Sequence, residues 1–104
     1  MNLLKIYDKT CDVCAMLAGI DEQIAEDQNL FFRQITLSEA AKNPSTHRDH
    51  LIQNYVDPES GMIDIPVYLI TNRSGTVEAS GVVKTVEELK NLIEAWTKWE
   101  SSQK

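Results

Sequence analysis

Cys11 and Cys14 are the two cysteines of the chain, in the run Thr10-Cys11-Asp12-Val13-Cys14 directly after the apolar stretch Leu3-Leu4-Lys5-Ile6-Tyr7. A Cys-x-x-Cys pair serves two chemistries, a redox dithiol or half of a zinc site. The position after a strand and before a helix favours the dithiol. If residues 12–27 form a helix, Cys11 stands at its N-terminus, where unpaired backbone N–H groups and the helix dipole favour negative charge. An ordinary thiol has a pKa of about 8.5, and such positions lower it into a range of roughly 3.5 to 7.5, making Cys11 partly thiolate near neutral pH. Cys14, one helical turn further on, is expected to be more buried. Thiol–disulfide exchange needs this asymmetry: an exposed thiolate attacks a disulfide and a second thiol resolves the mixed disulfide. Asp12 opposes thiolate formation at Cys11, while the helix end and Lys9 favour it. The expected pKa therefore lies in the upper part of the perturbed range, as suits a reductant.

Positioning the pair requires a strand before it and a helix after it. Residues 1–7 read as a buried central strand, apolar on both faces except at Lys5. The following helix carries Val13, Met16, Leu17, Ile20 and Ile24 at helical spacing, with Glu22, Gln23, Glu26 and Asp27 on the wet side. Gly19 inside it costs about 1 kcal/mol relative to alanine and suggests close packing or a bend. Residues 30–35 read as a second strand, and a strand–helix–strand unit this short is parallel and right-handed. Ser38 to Lys42 suggest a helical turn interrupted by Pro44. Ser45 or Thr46 caps a helix holding Leu51, Ile52, Tyr55 and Val56, and a turn cluster follows at residues 57–61. Residues 67–71 and 76–80 form an antiparallel pair about the turn Asn72-Arg73-Ser74-Gly75. Thr85 and Glu88 make a capping box, in front of a core stripe of Val86, Leu89, Leu92, Ile93 and Trp96. Trp99 is expected at a partly exposed edge.

The chain has 104 residues, room for one core, so residues 1–100 are expected to form a single domain and residues 101–104 a frayed tail. A net charge of −6 and a pI near 4.8 argue against nonspecific nucleic-acid binding and favour protein or small-molecule partners. No leader pattern precedes the first strand, and no apolar run approaches the roughly 20 residues that span a bilayer. A soluble, cytoplasmic protein without membrane association is expected. In a reducing compartment, adjacent cysteines point to catalysis or metal binding rather than to a structural staple.

The order strand, dithiol, helix, strand, helix, proline-led hairpin, helix resembles the thioredoxin superfamily over nearly the whole chain. Cys11-Asp12-Val13-Cys14 looks like its redox motif, and Ile65-Pro66 before Val67-Tyr68-Leu69-Ile70 looks like its cis-proline strand. The resemblance implies an α/β fold with a four-stranded mixed sheet in the order 2-1-3-4, about three helices and a monomer. It also implies that Pro66 is cis and faces the dithiol, and that Ile65 offers backbone hydrogen bonds to a substrate chain. Tyr68 and Gly81 would line the same cleft. The chain opens on the central strand, as glutaredoxins do, and Thr10 stands where thioredoxins place a tryptophan. The glutaredoxin Pro-Tyr pair and Gly-Gly glutathione motif are missing, since Gly81 is followed by Val82-Val83-Lys84. Lys5 occupies the position of the thioredoxins' buried aspartate; of Lys5, Asp8 and water, water or Asp8 is expected to move the proton of the second cysteine.

The reading that follows is a protein-disulfide reductase. Cys11 attacks and Cys14 resolves, while Thr10, Asp12, Val13 and Lys9 tune access and pKa. The reversible Cys11–Cys14 disulfide replaces any bound cofactor, and electrons come from a thioredoxin reductase or a low-molecular-weight thiol. Competing readings are an adaptor on the same fold with an incidental dithiol, a glutathione-dependent glutaredoxin, and a zinc site completed by His47 and His50. The histidine spacing is one residue short of the usual zinc pattern, and two histidines near a helix start are more simply solvated. In plainer terms, Pro66 could be an edge-strand proline and Tyr7 and Tyr68 core residues.

Overall fold

In the computed structural model, which describes residues 1–42 and 46–102, the chain alternates strands and helices: β1 (Asn2–Tyr7), α1 (Asp12–Leu17), α2 (Ile20–Asp27), β2 (Phe31–Thr36), α3 (Leu37–Lys42), α4 (Thr46–Asn54), β3 (Val67–Thr71), β4 (Val77–Val82) and α5 (Val86–Ser102). The four strands form one mixed sheet in the order β2-β1-β3-β4. β1 runs parallel to β2 and antiparallel to β3, and β3 is antiparallel to β4. Every residue of β3 and the middle four of β1 are buried, as central strands covered on both faces must be. Both edges keep partial solvent contact.

Alternation along the strands sends side chains into two cores. Leu3, Tyr68 and Ile70 pack with Leu17, Ala25, Leu89, Ile93 and Trp96 beneath α1, α2 and α5. Leu4, Ile6, Val67 and Leu69 pack with Ala40 and Leu51 of α3 and α4 on the other face. α5 is held to β4 by the Trp96 indole N–H, which donates to Glu78 Oε1 at 3.0 Å, and Trp99 is 45% exposed. No helix among the described residues is long and apolar enough to cross a membrane.

Five helices stand where about three are implied by the resemblance. The helix expected over residues 12–27 is two: α1 closes with Ala18 in an extended conformation (φ −59°, ψ 135°), and Gly19 (φ 82°, ψ −43°) precedes α2. A side chain at Gly19 would meet nothing within 4 Å, so its positive φ, not close packing, calls for glycine. The break turns Met16 and Ile20 to solvent, 56% and 45% exposed, although both fit the expected core stripe. Ile52 is likewise half exposed.

The turn at Ser38 to Lys42 is α3, whereas Pro44, Ser45 and the side chain of Thr46, with the cap expected there, lie outside the described residues. The returning strand starts one residue later than expected and extends to Val82. The α5 cap forms with one difference: Thr85 Oγ1 accepts from Glu88 N at 3.1 Å, but Glu88 Oε2 accepts from Lys84 N at 2.9 Å instead of from Thr85 N. Ser101 and Ser102, expected to fray, continue α5, with the Ser102 hydroxyl bonded to the Trp99 carbonyl.

Candidate active site

The dithiol follows the C-terminal end of β1 through a short turn. Asp8 Oδ1 accepts from both the backbone N–H and the hydroxyl of Thr10, each at 2.9 Å, and Cys11 N–H donates to the Asp8 carbonyl at 3.1 Å. These bonds to Thr10 hold the Asp8 carboxyl below the usual carboxylate range. The turn delivers Cys11 to the N-cap of α1 in an extended conformation, where its Sγ accepts from Cys14 N–H at 3.1 Å. α1 has only six residues, so the negative charge a reduced Cys11 would carry is favoured by this nearby N–H rather than by a long helix behind it.

Cys11 and Cys14 are joined in a disulfide. Their Cα atoms are 5.2 Å apart, inside the span a disulfide bridges without backbone movement. Cys11 is half-buried and Cys14 only 3% exposed, which matches an accessible attacking sulfur and a sheltered resolving one. Lys9, Thr10 and Asp12 are exposed, while Val13 packs against the core.

Behind Cys14 lies a buried polar cluster. In the strand register Lys5 pairs with Tyr68, and their alternation puts both on the α2 and α5 face of the sheet. Lys5, 1% exposed, donates from Nζ to the Cys14 carbonyl at 2.8 Å and forms an ion pair with Asp21 Oδ2 at 2.7 Å. Tyr68 donates its hydroxyl to the same Asp21 oxygen at 2.8 Å, and Asp21 Oδ1 accepts from Glu22 N at 2.8 Å. Burial, then the bond and charge of Asp21, push the Tyr68 hydroxyl far above its ordinary range.

Asp21 is the residue that sequence reasoning missed. Within α2, Asp21 and Ala25 are four apart and both buried, which sets Asp21 on the face that α2 turns to the core. Tyr68, expected in the cleft, is fully buried with its hydroxyl turned inward onto Asp21, so it offers no surface to a substrate. Gly81, also expected there, pairs with Tyr68 inside the sheet and looks toward Leu92 of α5. Both were placed by their nearness to Pro66 and the hairpin in sequence, but the pleat points them at the core.

The Ile65–Pro66 peptide bond is cis. Ile6 pairs with Val67, so Pro66 stands at the same end of the sheet as Tyr7 and the turn to Cys11. Pro66 is buried, Ile65 half-buried, and the Ile65 carbonyl accepts from Lys84 Nζ at 2.6 Å. That lysine contact had no signal in the sequence.

The histidines sit on α4, on the opposite face of the sheet from α1. Ser80 Oγ is hydrogen-bonded to His50 Nε2 at 2.8 Å and to the Tyr55 hydroxyl at 2.6 Å. Among the described residues, no group of three or more His, Cys, Asp and Glu is placed to hold a metal ion.

No protein-family model matches the chain, and no curated protein sequence does either. Solved structures do match. Thioredoxin 1 from the thermophilic eubacterium Thermosipho africanus TCF52B superposes with a TM-score of 0.66 at 18% identity, covering 97% of this chain and 99% of that one. A chain from the complex of ferredoxin:thioredoxin reductase with thioredoxin f2 gives a TM-score of 0.60 at 18% identity, over 89% of this chain and 74% of that one. With its sheet order, its cis-proline and a cysteine pair between the first strand and the first helix, this chain has the fold of a thioredoxin.

Proposed function

We propose that the protein is a thiol–disulfide oxidoreductase that reduces disulfides in other proteins. The observation that carries this reading is the Cys11–Cys14 disulfide itself, with one sulfur accessible at a helix N-cap and the other buried behind it. In the reduced form, the Cys11 thiolate attacks one sulfur of a target disulfide, and the other target sulfur leaves as a thiolate and takes up a proton. The Cys14 thiol loses its proton and attacks Cys11 Sγ, the second target thiolate leaves, and the Cys11–Cys14 disulfide remains. Two electrons pass from the dithiol to the target.

Lys5 and Asp21 are the groups best placed to manage the proton of Cys14, because Lys5 is bonded to the Cys14 backbone and to Asp21. Asp8 is committed to the Thr10 turn. Ile65 and Pro66 form the opposite wall for the target chain, at the same end of the sheet. A reductase or a low-molecular-weight thiol restores the dithiol. That one structural neighbour comes from a complex containing a thioredoxin reductase supports the first of these.

Reduction of insulin disulfides tests the reading. The wild-type protein is expected to be active and Cys11→Ser inactive, whereas Cys14→Ser traps a mixed disulfide. Coupling to an NADPH-linked thioredoxin reductase and, separately, to glutathione with its reductase identifies the electron donor. An inactive wild type, together with full biological function of the Cys11→Ser, Cys14→Ser double variant, would make the protein an adaptor instead.

A further inference from the structure

The end of the sheet away from the cysteines holds a cavity of about 270 Å³ lined by Arg33 of β2, His47 of α4 and Arg73 of the β3–β4 turn, with Asn2, Thr71 and Ser74 beside them. Three elements distant in sequence thus bring two guanidinium groups and an imidazole to one opening. The register accounts for the convergence: Asn2 pairs with Thr71 and Leu4 with Arg33, so the start of β1, the end of β3 and the inner side of β2 share this corner under α4.

The chain as a whole is acidic, with 16 Asp and Glu against 10 Lys and Arg, yet no carboxylate lines this cavity. Among the described residues, neither arginine has an Asp or Glu within salt-bridge distance. Two exposed guanidinium groups that line one cavity without a carboxylate partner among the described residues leave the place for an anion from outside. Burial, then the charges of Arg33 and His50, hold the His47 imidazole below its ordinary value.

We infer that this corner is a binding site for the phosphoryl group of a small molecule, held between the forks of Arg33 and Arg73 with His47 completing the donor set. Guanidinium forks match phosphate oxygens bidentately, and a dianion suits two fixed positive charges better than a lone carboxylate does. The volume lies below the roughly 300–1,000 Å³ of sites for drug-sized ligands, which points to free phosphate or a short phosphate ester rather than a nucleotide. The site stands at the opposite end of the sheet from the dithiol, so it does not depend on the redox reading.

NMR titration of the full chain with inorganic phosphate and with glycerol 3-phosphate, at ionic strength held constant with sodium chloride, tests the site. Saturable shifts are expected at the Arg33 and Arg73 side chains and the Ser74 and Gly75 amides, together with a rise in the pKa of the His47 imidazole as the dianion favours its charged form. Arg33→Gln and Arg73→Gln are each expected to weaken binding about tenfold, while folding and disulfide reduction stay intact. Equal affinity for the two probes assigns the site to the phosphoryl group alone, and tighter binding of the ester gives its organic part a share of the cavity. Shifts that grow linearly, that chloride alone reproduces, or that persist in the double variant would overturn the site. So would a His47 pKa that phosphate leaves unmoved.

Discussion

Lys5 is a lysine on a central strand with almost no solvent contact, and such a group needs a buried anion and further hydrogen bonds to exist there. Asp21 supplies the anion, and the Cys14 carbonyl takes a second bond. Removing one partner of a buried pair strands the other. Asp21→Asn is therefore expected to cost about 3–5 kcal/mol in urea unfolding, with only part of the loss recovered in a Lys5→Met, Asp21→Leu double variant, because the buried Tyr68 hydroxyl then loses its acceptor. Titrating the reduced protein at 240 nm is expected to place the Cys11 thiolate in the upper part of the range of roughly 3.5 to 7.5, and a value near 4 would contradict the balance of Asp12 against the Cys14 N–H. Both sulfurs were legible because cysteine spacing is a local signal. Asp21 was not, since an acidic residue early in a helix reads as surface until the strand beneath it is known to carry a lysine.

The elements were legible where the pattern was long. β1, β3 and α5 fall within a residue or two of expectation, because continuous apolar runs and a capped amphipathic stripe leave few alternatives. The helix after the cysteines was misread as continuous because Val13, Met16, Leu17, Ile20 and Ile24 keep helical spacing across the break, and a glycine inside a helix is a modest cost. Its backbone angles (φ 82°, ψ −43°) are strained for any residue with a side chain, so Gly19→Ala is expected to lose of order 1–3 kcal/mol by thermal unfolding even though the space is open. α3 and α4 are short, and α4 carries only Leu51 and Ile52 as apolar residues, which is why their stretch gave the weakest signal.

The whole molecule is a sheet with a cysteine pair at one end, an arginine-lined cavity at the other and a histidine pair on one face. Burial holds His50 below its ordinary value of 6.5, and burial with Arg33 and His50 does the same for His47. As pH falls through 6.5 the unfolded chain takes up protons that the folded chain resists, so stability is fully present above that value and declines as pH drops through the folded-state values. Thermal unfolding between about pH 8 and about pH 5 is expected to show this decline, and His50→Gln to make it shallower. The break at Ala18 and Gly19 has a further consequence. It makes the sulfur-bearing turn a short tongue, rooted in the Asp8 loop, seated on the core through Leu17 and bonded from below by the Lys5 ammonium, while α2 stays clamped to the sheet through Asp21 and Tyr68. Opening and closing of the disulfide can then be absorbed by the tongue alone. Amide hydrogens of α1 are expected to exchange with deuterium faster than those of α5, and faster again once the sulfurs are reduced.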